Sequence, residues 1–152
     1  MKSTRFPMMF ALGLGLAGTS SSMQIEPPAD APRALAEAKS LKCEFGWYSS
    51  ANWDSDQPKA KAGVQEFTFH IDGLDRKERR ARLIGNAGAE DLVMVIGDSS
   101  ISLIERVPVG AVNLTTVYAW PDKRGCFKSV HSRHTAIGGP SPSQNYGYCQ
   151  SW

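Results

Sequence analysis

The chain has 152 residues, a formal net charge of +2 and a hydrophobic fraction of 41%. This length allows one domain, and the hydrophobic fraction is that of a globular protein rather than a disordered one. The nearly balanced charge argues against a general binder of nucleic-acid backbones, because such proteins gain affinity by neutralising many phosphates. We therefore expect no nucleic-acid partner.

The N-terminus predicts an export signal over residues 1–22. Lys2 and Arg5 form a positive segment, an uncharged apolar run follows over residues 8–17, and small residues come after it. The apolar run is shorter than the roughly 20 residues that a membrane-spanning helix needs. We therefore expect cleavage and no stable membrane insertion, which places the protein in the periplasm or outside a bacterium. An uncleaved N-terminal anchor is the alternative.

Residues 23–40 predict a tether rich in proline and alanine. Its three prolines favour an extended chain, and residues 33–39 allow two helical turns, which are too short to be stable alone. The tether leads to a domain over residues 41–152, in which the hydrophobic period changes to two.

The domain over residues 41–152 predicts an all-β fold. In its first strand Leu41, Cys43, Phe45 and Trp47 share one face. With this first one included, the domain contains about eight such segments at spacings of roughly 8–12 residues, with turn residues between most of them. This pattern favours a small antiparallel up-and-down barrel, since tight turns join successive strands and a closed sheet has no open edges. A two-sheet sandwich is the alternative.

The three cysteines, Cys43, Cys126 and Cys149, all follow the export signal. In an oxidising compartment two of them should pair, and three pairings are possible. We favour a Cys43–Cys149 disulfide, because it would tie the first strand of the domain to the last. Cys126 is then buried and inert, or pairs with another chain. Zinc is not expected in the absence of C-x-x-C spacing, so the sequence predicts no metal and no cofactor.

Polar residues of the types that bind ligands or take part in catalysis are concentrated in the last quarter of the chain. The candidate ligand or partner surface is formed by Arg133, His134 and Gln144, with His131 and Ser132 beside them. On a strand His131 and Arg133 share one face, and Ser132 and His134 share the other, so the two histidines would not share a metal. A structural polar cluster is one alternative. A Ser132–His134 hydrolase is another, although no nucleophile elbow is present, and we therefore predict no enzyme.

The aromatic residues and one basic run complete the candidates. Trp47 is expected at one end of the domain, and Tyr118, Tyr146 and Tyr148 at the other, as core packing or as rings that line a barrel mouth. The basic run over residues 76–82 predicts a solvated strand edge that resists sheet-to-sheet pairing, or a contact with an anionic surface.

Several segments together resemble a family of small exported bacterial proteins of unknown function; they are residues 67–75, 81–88, 101–105, 115–117, 130–134, 142–144 and 147–149. The resemblance implies an exported β-rich domain and carries no activity. Periplasmic lysozyme inhibitors are similar in architecture only. We therefore expect a monomeric, non-enzymatic binding or structural module of the cell envelope, with an envelope protein or a small ligand as partner. The alternative is an inhibitor or modulator of a cell-envelope hydrolase such as lysozyme.

Overall fold

The computed structural model describes residues 25–152 except residues 54, 87, 109 and 137, so the expected export signal over residues 1–22 lies outside the described residues. One short helix precedes eight strands in this part of the chain: α1 (Ala31–Glu37), β1 (Leu41–Asn52), β2 (Lys59–Asp75), β3 (Arg80–Gly85), β4 (Gly88–Gly97), β5 (Ser100–Arg106), β6 (Val112–Pro121), β7 (Phe127–His134) and β8 (Ser143–Ser151). Each strand pairs antiparallel with the next, and β8 returns to pair with β1. The expected up-and-down barrel is confirmed.

A β-bulge at Gly46 decides which residues of β1 face the interior. Before the bulge, Phe45 and the alternating residues that precede it are buried in the core. The register of β1 shifts between Phe45 and Trp47 against both neighbouring strands: β1 has one residue more than β8 there and one fewer than β2. The prediction that Trp47 shares the buried face is therefore wrong: its side chain is 57% exposed on the outer wall. Tyr48 takes the inward position.

The helix α1 closes the end of the barrel at which β1 begins. Leu35 and Ala38 are buried in the core, and the helix packs against β6. The guanidinium of Arg76 holds its C-terminus, donating to the carbonyl oxygens of Ala38 at 2.7 Å and Leu35 at 2.6 Å. Such carbonyls lack partners within a helix, so Arg76 explains how a seven-residue helix is stable here. No helix among the described residues has the length and apolar character needed to span a bilayer.

The first and last strands are also joined covalently. Cys43 lies directly opposite Cys149 in the register, and a disulfide links them across 106 residues of sequence. The expected Cys43–Cys149 pairing is confirmed. Cys126 is a buried free thiol whose Sγ lies 3.6 Å from the Oε1 of Gln150.

Removal of the disulfide should destabilise the barrel substantially. For the double variant Cys43→Ala with Cys149→Ala we expect the free energy of unfolding to fall by about 2–5 kcal/mol, because the bond closes a long loop in the unfolded chain. Urea denaturation of the oxidised wild type and the variant measures the difference. Cys126→Ala is the control and should change stability by about 1 kcal/mol or less. Equal stability of the wild type and the double variant would contradict the prediction.

Gly147 marks the closest approach of β1 and β8. A Cβ at this position would collide with the carbonyl oxygen of Glu44 and lie 2.7 Å from the Cα of Phe45. We expect Gly147→Ala to lower the free energy of unfolding by about 1–3 kcal/mol, since backbone must move to accept the methyl group. Gly46→Ala is a matched control, because nothing lies within 4 Å of its Cβ position. Chemical denaturation that gives equal losses for the two variants would overturn this explanation.

Candidate functional site

The strand β7 presents its polar residues alternately to the inside and the outside of the barrel. His131 lies in the interior, and Arg133 faces the same side, as the alternation predicts. Ser132 and His134 occupy the other face, where Ser132 is buried and has Gln144 as its cross-strand neighbour. The barrel wall therefore divides the five predicted site residues, with two facing inward and three on the outer face.

The end of the barrel opposite α1 holds a cavity of about 400 Å³, here called the mouth cavity. Residues of β1, β2, β7 and β8 line it: Tyr48, Ser50, Lys61, Gln65, Phe67, His131, Arg133, Ser143 and Asn145. Lys61 and Arg133 bring positive charge to these walls, and no carboxylate is among the described residues that line them. The mouth cavity is therefore suited to a ligand that carries an anionic group.

His131 contributes to the floor of the mouth cavity and is 5% exposed. Its ring centroid lies 5.4 to 5.8 Å from those of three phenylalanines, Phe45, Phe67 and Phe69. Burial lowers the pKa of His131 to about 4, and the nearby charge of Arg133 acts in the same direction. The imidazole is therefore neutral at neutral pH.

Two hydrogen bonds hold His131 in place on the floor of the mouth cavity. Its Nδ1 lies 2.9 Å from the hydroxyl oxygen of Thr115, which faces it from β6. The side-chain amide of Asn145 donates to the backbone carbonyl of His131 at 3.3 Å. Both partners are buried; Thr115 on β6 fixes the ring, and Asn145 on β8 fixes the backbone that carries it.

His134 and Gln144 lie outside the mouth cavity, at a shallow depression of about 280 Å³. Ser50 and Ser143 border both this depression and the mouth cavity, so the two concave surfaces meet at one rim of the barrel. A ligand that contacts Arg133 together with His134 or Gln144 must therefore reach across this rim. The structure brings the predicted residues to one region of the barrel without forming a single pocket from them.

An aromatic groove of about 340 Å³ lies on the outer wall and is not among the sites that the sequence predicts; it is here called the outer aromatic groove. It is lined by Trp47, Tyr118, Lys128, Ser129, Val130, Tyr146, Gly147 and Tyr148. The order of the residues in the sequence predicts Trp47 and the tyrosines at opposite ends of the domain. The structure instead brings them together, because β1 pairs with β8 and sets Trp47 opposite Tyr146. The hydrophobic period alone carries no signal for this, since the bulge at Gly46 turns Trp47 outward.

Comparisons with protein-family models, with curated proteins and with solved structures found no match for this chain. The resemblance to exported bacterial proteins therefore stays a prediction, and a functional interpretation rests on the geometry. Within the part of the chain that the structure describes, no three His, Cys, Asp or Glu side chains are grouped so as to hold a metal ion.

The low pKa of His131 makes the stability of the barrel depend on pH. Folding lowers this pKa from 6.5 to about 4, so the unfolded chain binds the proton more tightly and protonation opposes folding. The stability due to the neutral ring is complete above about pH 6.5 and is lost as the pH falls through about 4. Between these two pH values, protonation of His131 should lower the free energy of unfolding by up to about 3 kcal/mol.

Urea denaturation between pH 7 and pH 4 tests this dependence. We expect the wild type to lose more stability over this range than His131→Gln, which keeps a hydrogen-bonding group near Thr115 and does not titrate. His134→Gln removes an exposed histidine from the same strand and should follow the wild type. Parallel pH profiles for the wild type and His131→Gln would show that another group controls acid stability.

Proposed function

We propose that this protein is an exported, monomeric and non-enzymatic binding module of the bacterial cell envelope, which takes a small anionic ligand into its mouth cavity. The observation that carries the proposal is the pair of cations, Lys61 and Arg133, above a floor of aromatic rings. His131 belongs to this floor, and Ser132, His134 and Gln144 lie on the outer face beyond it. The alternative function, inhibition of a cell-envelope hydrolase, stays a prediction.

The size and chemistry of the mouth cavity support a small ligand. Its volume of about 400 Å³ falls within the roughly 300–1,000 Å³ of small-molecule sites, which combine apolar walls with a few polar groups. The planar guanidinium of Arg133 can donate two parallel hydrogen bonds to a carboxylate or phosphate. Phe67 offers an apolar surface below it. These groups favour a ligand with an anionic head and an apolar or aromatic body.

The state of His131 supports binding rather than catalysis. A general base works best when its pKa lies near the working pH, and a pKa of about 4 leaves this imidazole weakly basic at neutral pH. Thr115 and the surrounding phenylalanines also fix the ring. His131 therefore serves as a rigid, neutral part of the binding surface.

The Cys43–Cys149 disulfide supports export, because such bonds form and persist in oxidising compartments. In the periplasm the barrel would meet small anions and envelope proteins. A mouth that opens at the end away from α1 leaves the ligand accessible from solvent while the disulfide and the closed sheet keep the walls rigid.

The test uses two aromatic probes of similar size. Benzoate carries a carboxylate, and benzamide carries an uncharged amide in its place. In an NMR titration we expect benzoate to shift the resonances of Tyr48, Phe67 and His131 in a saturable way. Arg133→Gln combined with Lys61→Gln should weaken benzoate binding by about tenfold, the effect of losing roughly 1.4 kcal/mol of charge-assisted hydrogen bonding. Benzamide should bind weakly, and with equal affinity, to the wild type and to the double variant.

Arg33→Gln is the matched control, because this exposed arginine lies on α1 at the closed end of the barrel. It should bind benzoate as the wild type does. Equal affinity of the wild type for benzoate and benzamide, or shifts confined to residues outside the mouth cavity, would refute the anionic-ligand proposal. Native mass spectrometry of protein recovered from the periplasm then identifies a retained ligand as extra mass that denaturation removes.

A further inference from the structure

The outer aromatic groove exposes large rings to solvent on the wall of the barrel, away from the mouth cavity. The exposed fractions are 57% for Trp47, 40% for Tyr146 and 37% for Tyr118. The register places Tyr146 between Trp47 on β1 and Val130 on β7, so these side chains form one row across three strands. Exposed apolar surface of this kind, bordered by polar groups, marks a site of interaction.

The faces of these rings are available to a ligand. Among the described residues, no ring-to-ring contact joins two side chains of the groove. Tyr148 is the exception, because the guanidinium of Arg124 lies over its ring at 5.4 Å from the centroid in a cation–π contact. The negative face of an aromatic ring equally attracts the polarised C–H groups on the flat side of a pyranose sugar.

Hydrogen-bonding groups lie beside the rings. The Tyr146 hydroxyl donates to the Oε1 of Gln144 at 2.9 Å and lies 3.1 Å from the Oγ of Ser49. These exposed groups can exchange bonds with sugar hydroxyls, and a purely apolar ligand would leave them without new partners. Lys128 is the one charged side chain among the described residues that line the groove.

We propose that the outer aromatic groove binds an acidic glycan, with pyranose faces on Trp47 and Tyr146 and a sugar carboxylate at Lys128. The occupant follows from charge complementarity, since one cation with no lining carboxylate favours an anion of low charge density. A single-stranded nucleic acid would also stack on such rings, but it needs a basic track along its phosphates that one lysine does not supply.

This proposal is independent of the ligand proposed for the mouth cavity. The groove lies on the outer face of β1, β7 and β8, whereas Lys61 and Arg133 face the interior. The double variant Arg133→Gln with Lys61→Gln should therefore leave glycan binding unchanged. Either proposal can fail while the other holds.

The experiment compares three probes by isothermal titration calorimetry. Tetragalacturonate carries pyranose rings and carboxylates, cellotetraose carries pyranose rings alone, and tetraglutamate carries carboxylates alone. We expect the wild type to bind tetragalacturonate best, cellotetraose more weakly and tetraglutamate not measurably. Failure to bind either oligosaccharide, or equal binding of tetraglutamate and tetragalacturonate, would overturn the proposal.

Two variants and their matched controls locate the site. Trp47→Ala should weaken binding of both oligosaccharides by about tenfold, as expected for an exposed aromatic anchor. Trp152→Ala removes another exposed tryptophan, which stacks on His70, and should have no effect. Lys128→Gln should weaken tetragalacturonate alone, with Lys123→Gln as its control.

All four positions are exposed, so circular dichroism should show that each variant keeps the fold. Equal weakening by Trp47→Ala and Trp152→Ala would exclude the outer aromatic groove as the binding site. Equal weakening of cellotetraose and tetragalacturonate by Lys128→Gln would exclude the carboxylate contact. A protein that binds no oligosaccharide and self-associates in a way that Trp47→Ala abolishes would identify the groove as an interface between copies and refute the proposal.

Discussion

The pairing of β1 with β8 is the contact on which the rest of the structure depends. It closes the sheet, so that neither strand leaves an edge of unpaired backbone groups. The Cys43–Cys149 bond holds this seam covalently, and Gly147 lets the two backbones approach where the bulge disturbs the register. Both candidate binding surfaces cross the same seam, since each takes side chains from β1 and from β8.

The bulge at Gly46 gives the barrel two kinds of interior. On the α1 side of it, inward positions carry apolar residues such as Leu41 and Phe45, which form the core with the helix. Beyond it, inward positions of β1 carry Tyr48 and Ser50, and the lumen becomes polar and open. The same irregularity turns Trp47 outward. One inserted residue therefore sets the position of the mouth cavity and supplies an aromatic ring to the outer wall.

The sequence predicts the fold well because strand alternation and turn residues are local signals. The period of two predicts the strands, and the order of the strands favours a barrel over a sandwich and Cys43–Cys149 among the three possible pairings. The division of His131 and Arg133 from Ser132 and His134 follows from the same alternation. This part of the candidate site needed no tertiary information.

What the sequence could not predict depends on contacts between distant segments. The side on which Trp47 lies is set by a bulge that has no clear local signal, so the outer aromatic groove was not foreseen. The helix α1 is too short to be predicted as stable. It is stable in the fold because the guanidinium of Arg76, about 40 residues away, donates to its last carbonyl oxygens. The run that contains Arg76 therefore includes a structural cation as well as solvated ones.

The polar lumen has a thermodynamic cost that connects stability with function. A neutral imidazole among three phenylalanines is less favourable than an apolar ring would be, unless its hydrogen bonds replace those it makes with water. Thr115 supplies one such bond, and the disulfide and the capped helix stabilise the barrel around it. An apolar side chain at position 131 would leave the buried hydroxyl of Thr115 without this partner. The position of His131 beneath Arg133, in the floor of the mouth cavity, supports our proposal that this cavity binds a ligand.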